Sequence, residues 1–101
     1  MAALAKQVLN AATVTGPGSA IDLTVQARSL TMQTLVGGAI PDPNAQVKLE
    51  VSLDGVNFWS IGTTTGTNIL NNDQDVCQYV RGNVISIASG NVTAWVGYVS
   101  G

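Results

Sequence analysis

The feature that most constrains the fold is a strict alternation of apolar and polar residues at positions 47–53. Four aliphatic residues occupy the odd positions, and lysine, glutamate and serine occupy the even ones. Because successive side chains of a β-strand point to opposite faces, this period of two predicts a strand with one face on a core. The same period recurs at 21–25 and 92–98. Less regular candidate strands are at 29–36, 57–62 and 76–88, the last with a possible bulge at Arg81-Gly82-Asn83.

Turn-forming residues separate these segments at short intervals. Asp54-Gly55, between two apolar runs, is the strongest hairpin signal in the chain. Other stretches rich in glycine, proline, asparagine or aspartate are 16–18, 37–44, 62–68, 71–73 and 89–91. Short strands punctuated this often predict an all-β fold. We expect an antiparallel β-sandwich or jelly-roll-like single domain over residues 16–101.

The N-terminal residues 1–15 form a separate arm or edge segment in this interpretation. Residues 2–12 are rich in alanine, and Leu4 and Val8 are four positions apart, so a short helix is one alternative. An extended arm that pairs with a sheet edge is the other, and we favour it. The arm is a candidate for reaching a neighbouring subunit, and deletion of residues 1–12 is expected to leave the domain folded.

The composition excludes several classes of function. The chain has no histidine, which removes the usual Ser-His and Cys-His nucleophile pairs, and its one cysteine cannot form an internal disulfide or a thiolate cage. Four cations against six acids give a net charge of −2, which argues against nucleic acid as a partner. No apolar run is long enough to cross a membrane, and no secretory signal is evident. We expect no enzyme activity, cofactor, metal or membrane partner.

Three short motifs have structural interpretations that outweigh functional ones. The aspartates lie mostly in turns or on the polar side of strands, where solvated carboxylates are ordinary. The oxygen-rich segment 71–75 lacks the glycine and distal glutamate of a calcium loop, and 62–66 lacks the lysine of a phosphate loop. Cys77 is expected to be a small core residue.

Low charge and high apolar content point to assembly. Hydrophobic residues make up 46% of the chain and charged residues only 10%. A small domain cannot hide so much apolar surface alone, so we expect other copies or another protein to cover part of it. Phe58 and Trp59 follow the turn at Asp54-Gly55, and core packing of at least one ring is the plain interpretation. Trp95 is out of phase with its apolar neighbours and should face outward or toward a partner.

Three segments carry a resemblance to a known family. Residues 47–59 contain S-L-D-G-V-N-F-W, 79–84 contain Y-V-R-G-N-V, and 92–96 contain V-T-A-W-V. Together they resemble the head decoration (cement) proteins of tailed bacteriophages, over roughly residues 19–101. The resemblance implies a β-sandwich or jelly roll, commonly a homotrimer, that clamps neighbouring major capsid proteins from outside. It also implies a place on the outer surface of the virion, after synthesis in the host cytoplasm.

The resemblance leaves alternatives open. A phage tail or fibre part, or a carbohydrate-binding adhesion module of jelly-roll fold, shares similar turns and strands, although Gln78 replaces the arginine that precedes Y-V-R in the sugar-binding pattern. An enzyme is the remaining class. For the decoration hypothesis, the major capsid protein and sister copies are the partners. The interface candidates are Leu4, Lys6, Val8, Trp59, Arg81 and Trp95.

Overall fold

The computed structural model describes the backbone of residues 3–100 and the side chains of residues 4–99, so residues 1–2 of the expected arm and residue 101 lie outside it. The described chain forms eight strands: β1 (Ala3–Ala12), β2 (Gly16–Pro17), β3 (Ile21–Gly37), β4 (Gln46–Ser52), β5 (Trp59–Thr65), β6 (Asn68–Asn72), β7 (Cys77–Ser86) and β8 (Asn91–Ser100). Over this range there is no helix, and hence none of a length and apolarity that could cross a membrane.

All strand pairs are antiparallel, in the order β1-β8-β3-β7-β4-β5, with β2 beside β7 and β6 beside β3. The 17-residue strand β3 joins two layers. Its first part, from Ile21 to Ala27, pairs with β7, whereas its second part pairs with β8 on one side and β6 on the other. The all-β, single-domain sandwich predicted from the alternation is therefore confirmed.

The core lies between the two layers, and the clearest alternating segments supply it. Val47, Leu49 and Val51 are buried on β4, as predicted. On β8 every second residue is buried from Val92 to Tyr98. The prediction was wrong for Leu53, which is exposed because β4 ends at Ser52 and the chain turns there.

Strand β3 departs from simple alternation at two residues with left-handed backbone, Thr24 (φ 63°) and Ser29 (φ 54°). The Thr24 amide donates to Asp22 Oδ1 at 2.8 Å, a local turn that competes with the sheet ladder. The phase of the strand is lost there, and Val25 is exposed although it was predicted to share a face with Leu23.

Two further expectations were wrong. The register between β4 and β7 runs without a shift across Gly82, so the bulge expected there is absent from the described pairing. The segments 62–68 and 71–73, interpreted as turns, contain the end of β5 and most of β6. Only Gly66 and Thr67 separate these two strands, and Gly66 has the positive φ of 67° that such a tight connection requires.

Residues 3–12 are extended and not helical, because β1 pairs with β8. The register shifts between Gln7 and Leu9 and again before Ala12. As a result both Val8 and Leu9 are buried in the core. Leu9 packs against Gly18 and Gly82, where a side chain would collide with it. The expectation that residues 1–12 can be deleted without loss of the fold is inconsistent with this packing.

Candidate interaction surfaces

Trp95 lies at the centre of an exposed apolar face on the outer side of the β1-β8-β3-β6 layer. Its cross-strand neighbours are Gln7 on β1 and Gln33 on β3, and Gln33 in turn pairs with Ile69 on β6. One row further along, Leu35 pairs with Thr93. We call these six residues the Trp95 face.

The Trp95 face combines exposed apolar side chains with an absence of charge. Trp95 is 42% exposed, Leu35 46% and Ile69 57%. The other three members are glutamine and threonine, so none of the six carries a charge. Contiguous exposed apolar surfaces mark sites where a protein interacts with another molecule. The cores of protein interfaces are depleted in charged residues and enriched in aromatic ones. The face therefore has the chemistry of a protein-docking surface.

A second apolar surface lies at the rim of the sandwich, where β5 begins. Trp59 is 64% exposed there and lines a groove of about 170 Å³. We call this the rim groove; its lining residues are Val51, Ser52, Leu53, Trp59, Ile61, Asp75 and Val76. Asp75 is the one acidic residue of that lining. The expectation that Phe58 or Trp59 packs in the core was wrong, because Phe58 is only half-buried and Trp59 projects into the groove.

The first half of β1 supplies two of the predicted interface residues. Leu4 and Lys6 are both exposed and lie on the same side of the strand. Val8, the third candidate on this strand, is buried, so its side chain is not available on the surface of a single copy.

Arg81 is engaged within the chain. Its Nε donates to Glu50 Oε1 at 2.7 Å, and its guanidinium lies 4.1 Å from the centroid of the Phe58 ring. Asn83 Nδ2 donates to the other Glu50 oxygen at 3.2 Å. Planar guanidinium groups favour such combined ion-pair and stacking geometry. The side chain is therefore held on the outer face of the β4-β7 pair and is not a free solvated charge.

Asp54 organises the turn that carries the resemblance motif. Its Oδ1 accepts hydrogen bonds from the amides of Val56 and Asn57, each at 2.8 Å, and from Ser52 Oγ at 2.9 Å, while Asn57 Nδ2 donates to Oδ2. These donors, the Asn57 amide first, hold the pKa of Asp54 well below its ordinary value of 3.8. The carboxylate is thus used locally, which is why the S-L-D-G-x-N order is a structural signature of this turn.

The remaining polar motifs are also used within the chain. Asn72 Oδ1 accepts from the amides of Gln74 and Asp75, so the 71–75 segment is a self-bonded turn. Asp42 is buried and accepts from the amide of Ala88 at 2.8 Å. Over the described residues no three acidic or cysteine side chains come together in a way that could hold a metal ion. Cys77 is fully buried, as predicted, and burial raises the pKa of its thiol to about 11.

The sequence interpretation missed several residues of both surfaces. Leu35 could have been found, because Leu30, Met32 and Thr34 point inward and leave odd positions of β3 facing out. Ile69 could not, since the turn-rich residues around it concealed strand β6. Val76 contributes to the rim groove from a loop, which no periodicity describes.

No protein-family model matches the sequence, and a search of curated proteins finds no match. Among solved structures, the chain is similar to the crystal structure of SPBc2 prophage-derived protein YomS, with a TM-score of 0.74 and 18% identity over 98% of this chain and 94% of that one. It is also similar to the C-terminal domain of a chitobiase from Bacteroides fragilis, with a TM-score of 0.53 and 22% identity over 81% of this chain and 61% of that one. The sandwich is therefore a fold that a prophage-derived protein also has.

Proposed function

We propose that this chain is a non-enzymatic structural protein of a bacteriophage particle, which binds the outside of the capsid and stabilises contacts between major capsid proteins. The observation that carries the proposal is the uncharged Trp95 face. Its three exposed apolar side chains lie on a sheet surface that no other described part of the chain covers. The phage context is supported by the motif resemblance and by the fold shared with a prophage-derived protein over nearly the whole of both chains.

The physical requirements of such a role match the chain. A decoration protein needs a rigid fold, a surface that binds the capsid and contacts between sister copies, and it needs no catalytic group. Each contact with the capsid can be weak, because many copies on one lattice raise the effective concentration of every contact. We assign capsid binding to the Trp95 face, with the major capsid protein as its partner and the outer surface of the virion as the location of the chain.

The test uses particles of the phage whose genome encodes the chain. Particles that lack the chain are incubated with purified protein, separated on a density gradient and analysed by quantitative mass spectrometry. We expect the wild-type chain to bind in a copy number comparable with that of the major capsid protein. Trp95→Ser should weaken binding by about thirtyfold, as loss of an interface anchor costs about 2 kcal/mol. Ile40→Ser, a change of an exposed apolar residue in a loop outside the face, is the matched control.

The results separate the decoration role from its alternatives. Failure of the chain to bind particles, or equal binding by the wild type and the Trp95 variant, would contradict the proposal. A few copies per particle would instead indicate a tail or fibre part.

A carbohydrate-binding adhesion module is the second candidate. The observation in its favour is that the exposed Trp59 ring lines the same groove as Asp75, because aromatic rings near polar groups can stack on sugars. The chitobiase domain provides a fold precedent. The groove ranks second because its lining is otherwise mainly aliphatic and offers few hydrogen-bond partners to sugar hydroxyls. Specific binding on a glycan array that is lost in Trp59→Ala would favour this candidate.

A further inference from the structure

Four strands of the described chain pair with one neighbour only. β2 and β6 lie off the main strand order, whereas β1 and β5 are its two ends. β1 pairs only with β8, and β5 pairs only with β4. On β1 the register is regular from Ala3 to Gln7, before the first shift, so no bulge blunts that half of the edge. Free strand edges present unpaired amide and carbonyl groups that template the addition of another strand.

At both of these edges, exposed side chains lie on the core-facing side of the strand. Leu4 pairs with Tyr98 and Lys6 with Val96, and both partners on β8 are buried. Leu4 and Lys6 therefore sit on the core-facing side of β1, beyond the rim of the core. Trp59 pairs with buried Val51, so it too is on the core-facing side of its strand. A strand added beside β5 with its apolar side chains on that side would continue the core.

The two edges are also complementary in shape and charge. The rim groove, at about 170 Å³, is large enough for one aliphatic side chain, since an apolar cavity of about 150 Å³ holds a benzene molecule. Leu4 is 46% exposed and offers such a side chain. Lys6, two residues and about 6.6 Å further along β1, carries a positive charge, and Asp75 lines the groove with a negative one.

We propose that β1 of one copy adds to the open edge of β5 of a second copy, with Leu4 in the rim groove and Lys6 beside Asp75. The contact joins two different surfaces, so it is heterologous and closes into a ring when the rotation between copies permits. A ring would supply the contacts between sister copies that the proposed function includes, and the choice of a sister copy as occupant rests on that proposed function.

The experiment measures self-association of the purified chain by sedimentation velocity over a range of concentrations, without capsids. We expect the wild type to associate, and Leu4→Ser to weaken association by about ten- to a hundredfold, the worth of one buried leucine. Lys6→Glu and Asp75→Lys should each weaken it by about tenfold or more through like-charge contact. Val14→Ser, an exposed apolar change in a turn outside both edges, is the matched control.

Charge exchange gives the sharpest outcome. The double variant Lys6→Glu with Asp75→Lys should associate again, because the pair is restored with reversed signs. A mixture of the two single variants should co-assemble in one-to-one proportion, because each variant's β1 then meets an oppositely charged groove on the other variant. Wild type that stays monomeric, association unaffected by all three single variants, or no rescue in the double variant would each overturn the inference. None of these results decides capsid binding, which the particle experiment measures separately.

Discussion

Deletion of residues 1–12 should destabilise the domain, because β1 contributes to the core as well as to the edge. The deletion removes the buried side chains of Val8 and Leu9. Burial of an aliphatic side chain is worth about 1.5–3 kcal/mol, so the loss is about 3–6 kcal/mol. It also uncovers the edge of β8. Small domains have a total free energy of unfolding of about 5–15 kcal/mol, so the truncated chain should be marginally stable or unfolded.

The assay is urea unfolding monitored by tryptophan fluorescence, with thermal unfolding as a second measure. A loss of about 3 kcal/mol corresponds to a fall in Tm of about 12–24 °C for a domain of this size. The matched control is deletion of residues 1–6, which removes Leu4 and Lys6 but keeps Val8 and Leu9. It should stay folded and lose self-association. A chain lacking residues 1–12 whose free energy of unfolding is within about 1 kcal/mol of the full chain would refute the packing argument.

Two further predictions concern single ionisable groups. The depressed pKa of Asp54 means that its carboxylate contributes stability above its unfolded-state value of 3.8 and loses that contribution as the pH falls below it. The Tm difference between wild type and Asp54→Asn should therefore be largest near pH 6 and shrink toward about pH 2, and a difference independent of pH would contradict the hydrogen-bond assignment. Cys77, buried and with its pKa raised to about 11, should resist alkylation near pH 8 in the native chain and react when urea unfolds it. Rapid native labelling would show that the β7 end opens.

The core could be predicted from the sequence because its physical cause is local. On β4 and β8 one face is buried and the other is not, so the period of two is written directly into the order of residues. The same rule predicted that Trp95 faces outward while its immediate neighbours on β8 face the core.

The surfaces could not be predicted to the same extent because they depend on contacts between distant segments. The exposure of Trp59 results from its place at the start of an edge strand, where the second layer does not cover its core-facing side. Arg81 meets Glu50 only because β4 and β7 pair in a register that the sequence does not state. Strand β6 was concealed because asparagine and threonine serve both turns and the solvent side of strands, and only pairing with β3 distinguishes the two.

Exposed apolar side chains of this chain lie at two places of different geometry, the Trp95 face and the edges of β1 and β5, and this bears on how one small domain could hold two partners. Pairing at the edges of β1 and β5 extends sheets sideways and leaves their outer faces uncovered. The Trp95 face of every copy in such a ring would remain free to bind the capsid. A ring of copies would then present several uncharged, weakly binding faces at once. Linked contacts of that kind bind far more tightly than any one alone. On this argument, loss of the β1 edge should weaken capsid binding even though Leu4 and Lys6 never touch the capsid.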